Sequence, residues 1–244
     1  MIKQFTGEET VADIVSIFPS ASNLLLQYQI DFCCGGNQPL QAALEEQKVN
    51  PEAFLKELND AYAKEQTKHK SHLDWRQASS SVVIKHIIQT HHAYLKQELP
   101  VLSALVTKVM DRHGQKHPEL VQLHRWFHQL KEELEEHVIK EEQVVFPLIQ
   151  EYEQTASTSV SEKLEQEIIQ LETEHQQTGD LLKQMRQVTQ GYRLPERACR
   201  TYTLTYHKLK QLEADIYQHI HLENHILFPR FAQLENIRSR NEHV

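Results

Sequence analysis

The chain is short of the residues that interrupt helices: 244 residues hold only 6 glycines and 8 prolines. Those two residues punctuate turns and loops. With so few, the long runs of Leu, Glu, Gln, Lys and His read as mostly α. Cysteine is scarce too, three in all and two of them adjacent, which excludes a secreted disulfide framework. No stretch approaches the ~18 consecutive apolar residues of a membrane span, and the start, MIKQFTGEET, lacks a basic-then-apolar export signal. A soluble, cytoplasmic protein is expected. Positive charge is in deficit, with a formal net charge of −8. That argues against nucleic acid or an anionic membrane surface as the main partner.

Histidine is in excess, at 16, and is spread from 69 to 243 rather than clustered as in a tag. Imidazole is the commonest biological metal ligand. One phrase occurs twice: His137-Val-Ile-Lys-Glu141-Glu-Gln-Val-Val-Phe146-Pro147 and His219-Ile-His-Leu-Glu223-Asn-His-Ile-Leu-Phe228-Pro229. In each copy a histidine and a glutamate stand four apart, hence on one face of a helix and next to an apolar run. One such pair reads most simply as a surface ion pair. Two, followed by the same Phe-Pro, point to a metal site, because a carboxylate in an apolar core is costly unless paired or metal-bound. Phe146-Pro147 and Phe228-Pro229 themselves read as a core aromatic and a helix bend.

The repeat reaches further. His92 lies 45 residues before His137, and His175 lies 44 before His219. The midpoint of the first interval falls at Gly114-Gln115, where a turn is expected, so His92 and His137 should lie level on antiparallel helices. The site then comprises His92, His137, Glu141, His175, His219 and Glu223. Four imidazoles and two carboxylates suit two iron or manganese ions bridged by carboxylate, and imidazole also suits zinc. His91 competes with His92. His86, His124, His128, His207, His221 and His225 have no repeat partner and read mostly as solvated. A ferritin-like site would need two Glu-x-x-His motifs; only Glu172–His175 fits.

Residues 1–64 read as a small helical module. Helices are expected over Thr10–Ile17, Ala21–Gln29 and Leu40–Gln47, and from Asn50-Pro51-Glu52 to about Ala63. Asp31-Phe32-Cys33-Cys34-Gly35-Gly36 lies between the second and third. A nearby helix N-terminus stabilises thiolate, so Cys33 and Cys34 are candidates for a redox or metal-handling role, against the simpler reading of buried thiols. Cys199 reads as packing. The module has little core of its own and is expected to dock on something. Residues 65–78 are polar and aperiodic, a linker. Four long helical segments follow within 79–235, running from about Ser79 to Arg112 (bent at Pro100), Pro118 to Tyr152, Val160 to Thr189, and Pro195 to Leu234. Ser159 and Glu162 have capping-box spacing. Short connections imply an up-down-up-down bundle, and 236–244 is a polar tail. The fold class is all-α: a small N-terminal helical domain plus a four-helix bundle.

The bundle motifs resemble the hemerythrin-like family, antiparallel four-helix bundles with a non-haem di-iron centre. The whole chain is similar to a narrower group, the iron-sulfur cluster repair proteins, also called repair of iron centres proteins. Their Asp-Phe-Cys-Cys-Gly-Gly signature is matched by Asp31 to Gly36, ahead of the His-x-x-x-Glu…Phe-Pro phrases. The resemblance implies two iron ions held by the six residues above, with both glutamates bridging alongside an oxo or hydroxo group. The family's first-helix ligand precedes Leu-Pro, matched at Leu99-Pro100, which favours His92 over His91. His113 also matches a family histidine, but on an unbroken helix it lies 21 residues, or ~30 Å, from His92. Hemerythrin oxygen carriers take a second histidine from the third helix, where this chain has Leu171 and Gly179, so more labile coordination is implied. The expected role is a stress protein that repairs clusters damaged by oxidants or nitric oxide by donating iron, with damaged or apo iron-sulfur proteins as partners. Its rivals are a nitric oxide reductase using the vicinal thiols and an oxygen or nitric oxide sensor. Nitric oxide and oxygen are candidate ligands, and a second copy of the chain is a candidate partner.

Overall fold

A computed structural model describes residues 4–67 and 74–231. Residues 68–73 of the expected linker and all of the expected polar tail lie outside the described residues. Helices carry the described chain, and its one strand-like feature is an isolated bridge between Thr10 and Pro39. The chain forms two compact units. One runs to Val83 and takes in Tyr217–Arg230; the other holds Ile84–Ile216 and Phe231.

The first unit contains α1 (Val11–Ile17), α2 (Ala21–Gln27), α3 (Leu40–Glu46) and α4 (Pro51–Thr67). Thr10 caps α1 by accepting the Asp13 N–H at 3.1 Å. Asn50 does the same for α4 through the Ala53 N–H at 2.9 Å. Each cap satisfies a helix donor that would otherwise have no intrahelical partner. α4 runs on past Ala63 to Thr67, so the first part of the expected linker is helical. The small module does not complete its core alone. Tyr217–Arg230 belongs to the same unit and brings buried Ile220, Leu222, Ile226, Leu227 and Phe228. Phe32 is fully buried and stacks against Tyr217 at 5.6 Å. Burying such a ring contributes about 1.5–3 kcal/mol. Gly36 permits the tightest approach: a Cβ there would sit 2.5 Å from the Phe32 carbonyl oxygen and 2.9 Å from His225 Nε2.

The second unit is an antiparallel four-helix bundle. Its helices are α5 (Ser80–His86, shared with the first unit) continuing into α6 (Ala93–His113), α7 (Glu119–Lys140) continuing into α8 (Phe146–Thr155), α9 (Thr158–Val188), and α10 (Arg200–Leu222) as far as Ile216. Buried residues follow alternating steps of three and four: Leu95, Leu99, Leu102, Val106 and Val109 on α6, and Leu120, Leu123, Phe127, Leu130, Leu134 and His137 on α7. This is the seam pattern of left-handed bundles. α10 is tied to α9 by Arg186–Glu213 at 2.7 Å and to α6 by Lys208–Glu98. α6 runs on through Pro100, which lies on its exposed face. α9 starts at Thr158, two residues ahead of the expected box. Its end is set by Gln190 in the left-handed region at φ +52 and by the Gly191 N–H, which returns to the Arg186 carbonyl at 2.7 Å.

Replacing Phe32 with alanine should destabilise the first unit by ~3–5 kcal/mol. Hydrogen exchange of α1–α3 measures this; unchanged protection would mean that the ring anchors nothing.

Candidate metal centre

Three histidines interrupt the apolar seams of the bundle. His175 stands between Leu171 and Leu182 on α9, His137 follows Leu134 on α7, and His92 precedes Leu95. All three are buried, and Glu141 is 0 % exposed. Core positions do not hold such groups without partners.

The partners form two layers. On the outer side, His92 Nδ1 lies 2.8 Å from Glu142 Oε1, and His137 Nδ1 lies 2.8 Å from Glu174 Oε2. Each carboxylate is also held by a lysine: Lys96 on Glu142 at 2.7 Å and Lys140 on Glu174 at 3.2 Å. Burial alone would raise the Glu142 pKa, but the hydrogen bonds from Lys96 and His92 outweigh it and hold it below the usual range. The His137 hydrogen bond draws Glu174 down to about 2 against partial burial, with Lys140 adding to it. Ionised carboxylates therefore accept the Nδ1 protons, which leaves the Nε2 lone pairs pointing inward.

On the inner side those lone pairs converge. His92 Nε2 is 3.1 Å from Glu141 Oε2, and His137 Nε2 is 3.1 Å from Glu141 Oε1. His175 Nε2 is 3.1 Å from His137 Nε2. Nitrogen and carboxylate oxygen acceptors so close repel one another unless a cation lies between them. The donor set, imidazole nitrogen and carboxylate oxygen, is the one iron, manganese and zinc accept. Phe146 stacks on His92, with centroids 5.8 Å apart and planes within 14°, so it walls the site without offering a ligand.

His219 and Glu223 lie in the other unit on one helical stretch, both buried, with Nε2 and Oε1 3.2 Å apart. The sequence pattern did not anticipate what the same stretch does on its opposite face. His221 Nδ1 is 3.2 Å from the Phe32 carbonyl, and His225 Nε2 is 2.6 Å from the Cys33 carbonyl. His221 also lies 3.3 Å from Ser16 Oγ. These two histidines, expected to be solvated, instead clamp the cysteine loop. Burial pushes the His221 pKa down to about 3, helped by His225 and opposed by the bond to Phe32.

Cys33 is buried and Cys34 half-buried; neither is in a disulfide, and their sulfurs are 3.5 Å apart. Asp31 Oδ1 accepts both backbone N–H groups, at 3.0 and 3.1 Å, and the Cys33 thiol at 3.3 Å. Burial pushes the Cys33 pKa well up, with Cys34 and the Asp31 charge in the same direction. The expected thiolate is thus overturned for Cys33. The first N–H groups of α1, those of Val11 and Ala12, go to the Gln38 and Gly36 carbonyls rather than to the thiols.

Three π-helical stretches mark the ligand helices: Ile87–His92, Glu141–Val145 and Glu223–Leu227. Each begins or ends on a candidate ligand. Such widened turns recur at functional sites. The signal was present as consecutive steps of four: His137, Glu141, Val145 and Ile149, then His219, Glu223, Leu227 and Phe231, all buried. On a regular helix every such step drifts by ~40°, and the extra residue of the π turn takes up the drift. The Phe-Pro pairs follow these turns, and Phe146 and Phe228 are buried as expected.

Other histidines fall elsewhere. His91 pairs with Asp215 at 2.9 Å, facing away from Glu141. His113 ends α6 beside Cys199, 3.4 Å from its sulfur. Cys199 is exposed rather than packed. His124 and His128 both reach Thr107, whereas His207 is exposed.

Comparison with known proteins finds two family patterns in the chain. The Hemerythrin HHE cation binding domain pattern fits residues 83–231, and a Domain of Unknown function (DUF542) fits residues 7–62. The iron-sulfur cluster repair protein ScdA of Staphylococcus haemolyticus is 34 % identical over 227 residues, covering 93 % of this chain and 99 % of the relative. Its namesake in Staphylococcus epidermidis is 31 % identical over 228 residues, covering 93 % and 99 %. The iron-sulfur cluster repair protein YtfE of Escherichia coli O157:H7 is 34 % identical over 223 residues, covering 91 % and 96 %. This chain belongs to the hemerythrin-like iron-sulfur cluster repair family. Both parts of the family pattern are present in order: the Asp31–Gly36 loop inside the first match, all six seam His and Glu residues inside the second. Among the described residues no helix is long and apolar enough to cross a membrane.

Replacing Glu142 or Glu174 with glutamine should weaken metal binding ~10–100-fold, read by competition with a chelator; unchanged affinity would mean that these carboxylates do not orient the imidazoles. His225→Ala should speed the reaction of Cys33 with a thiol reagent, and an unchanged rate would show that the clamp does not protect it.

Proposed function

We propose that the chain holds two iron ions and serves the repair of iron-sulfur clusters damaged by oxidative and nitrosative stress, with iron as its cargo. The ligands of this reading are the six residues that the sequence repeat singles out, His92, His137, Glu141, His175, His219 and Glu223, with both glutamates bridging. The observation that carries it is the convergence of Nε2 lone pairs on the buried Glu141 carboxylate, with the Nδ1 protons drawn outward by Glu142 and Glu174. The names of the relatives supply the repair role. Bound iron would supply Lewis acidity and one-electron chemistry; the protein's own residues hold, orient and release it.

Release is favoured by the donor count. Leu171 and the buried Gly179 flank His175 one turn away and offer no further imidazole. A site with few nitrogen ligands yields its ions more readily to a competing acceptor. The acceptors of this reading are apo or damaged iron-sulfur proteins in the cytoplasm. Cys33 and Cys34 would engage the acceptor or relay iron. The rival reading is a catalytic nitric oxide reductase drawing electrons from this dithiol; burial of a protonated Cys33 leaves the half-buried Cys34 as the more accessible thiol in either reading.

The test is iron transfer. Iron-loaded protein is mixed with an apo cluster protein and sulfide, with Glu141→Ala as the control. Iron should leave for the new cluster faster than into buffer, and the Glu141→Ala chain should arrive with little iron to give. Iron retained with no cluster formed above control would overturn the donor reading; full iron content in Glu141→Ala would overturn the ligand assignment.

A further inference from the structure

A second group of metal-ligating side chains lies on the α6–α7 pair, away from the candidate centre. His124 and His128 stand four apart on α7, their rings 4.3 Å between centroids. Both Nε2 atoms approach one hydroxyl, Thr107 Oγ1 on α6, at 3.1 and 3.3 Å. A hydroxyl has one proton to give, so it can serve only one of these nitrogens as donor. It accepts an N–H from the other, so the two imidazoles aim their Nε2 atoms at one atom.

We propose that His124 and His128 form a divalent transition-metal site on the bundle surface. Two bonds of ~2.1 Å at a tetrahedral angle need nitrogens ~3.4 Å apart, and histidines at i and i+4 of a helix meet that spacing. Thr107 Oγ1, 3.1 and 3.3 Å from the two nitrogens, stands where a third ligand would, and the hydroxyl or a water in its place completes the set. Asp111 is one turn along α6 from Thr107, and its charge acts on His124, partly offsetting the effects of burial and of His128. Both histidines and Thr107 are half-buried and Asp111 is exposed, so an ion can enter and leave from solvent. Lys108 and Arg112 line a groove on α6 together with Thr107 and Asp111. They are exposed, and solvent and salt screen their repulsion of an ion. Copper and zinc are the preferred occupants on the affinity order of such nitrogen sites. His128 lies nine residues from His137, or ~13.5 Å along the helix, too far to share an ion with it. The site stands whether or not the candidate centre holds iron.

The experiment is a Zn(II) titration of the full, iron-loaded chain by calorimetry. One further equivalent per chain is expected. It should be lost in the double variant His124→Ala, His128→Ala, weakened at least tenfold in each single variant and kept in Thr107→Val, with iron content unchanged in all. Absence of the extra equivalent, or its survival in the double variant, would overturn the proposal. If the double variant folds poorly, Cu(II) electron paramagnetic resonance of the single variants decides. Two imidazole nitrogens in the wild type should become one in His124→Gln or His128→Gln; an unchanged spectrum counts against the site.

Discussion

Everything in the bundle depends on the burial of Glu141. Its carboxylate has no exposed surface and faces two imidazole nitrogens at 3.1 Å. Taking such a charge out of water costs several kcal/mol even after relaxation, comparable with the whole net stability of a domain. The apolar seams of α6, α7 and α9 supply the burial energy and fix the helices at a register where His92, His137 and His175 reach the same point. The outer carboxylates then decide which nitrogen of each ring carries its proton. Without Glu142 and Glu174, His92 and His137 could turn an N–H inward and satisfy Glu141 as ordinary hydrogen-bond donors. With them the lone pairs face inward, and the arrangement is complementary to a cation rather than to itself. Metal binding and folding are coupled in such a design.

The π stretches follow from the same constraint. A glutamate four residues after a histidine satisfies a ligand pair, but a further core residue four beyond it has drifted off the seam. Widening the turn at Glu141–Val145 returns Val145, Phe146 and Ile149 to the core. Proline is tolerated just after such a turn because the regular ladder is already interrupted there, so its missing N–H removes less than it would in a regular helix interior. The expected bend at Phe-Pro is therefore better described as a widened turn before it.

Much of this was legible because it is periodic. The repeated phrase exposes the His-Glu pairs, the alternating steps of three and four expose the helices, and the Asp31–Gly36 signature exposes the first unit. What was illegible lies between helices. Glu142 and Glu174 look like surface acids, adjacent to Glu141 and His175, and only the packing of α7 against its neighbours gives them the Nδ1 protons of His92 and His137. His221 and His225 lacked a repeat partner and so read as solvated, whereas their partners are backbone carbonyls that no sequence pattern names. For Cys33, nearness to a helix start suggested a thiolate. Burial and the Asp31 charge decide otherwise, and burial is the quantity that local sequence shows least.

The helical stretch from Tyr217 to Arg230 joins these threads within one unit. Residues two apart on a helix point ~200° from one another. His219 and Glu223 therefore project from one side, and His221 and His225 from the other. The first pair offers metal ligands, while the second grips the carbonyls of Phe32 and Cys33. A rotation of this stretch that carried Glu223 toward or away from an ion would move the His225 ring and pull on a 2.6 Å bond to the cysteine loop. Gly36 leaves that loop no slack, since its backbone already lies within a methyl group's reach of His225. The cysteine motif and the His219–Glu223 pair are thus mechanically one element, and a change at either is felt at the other.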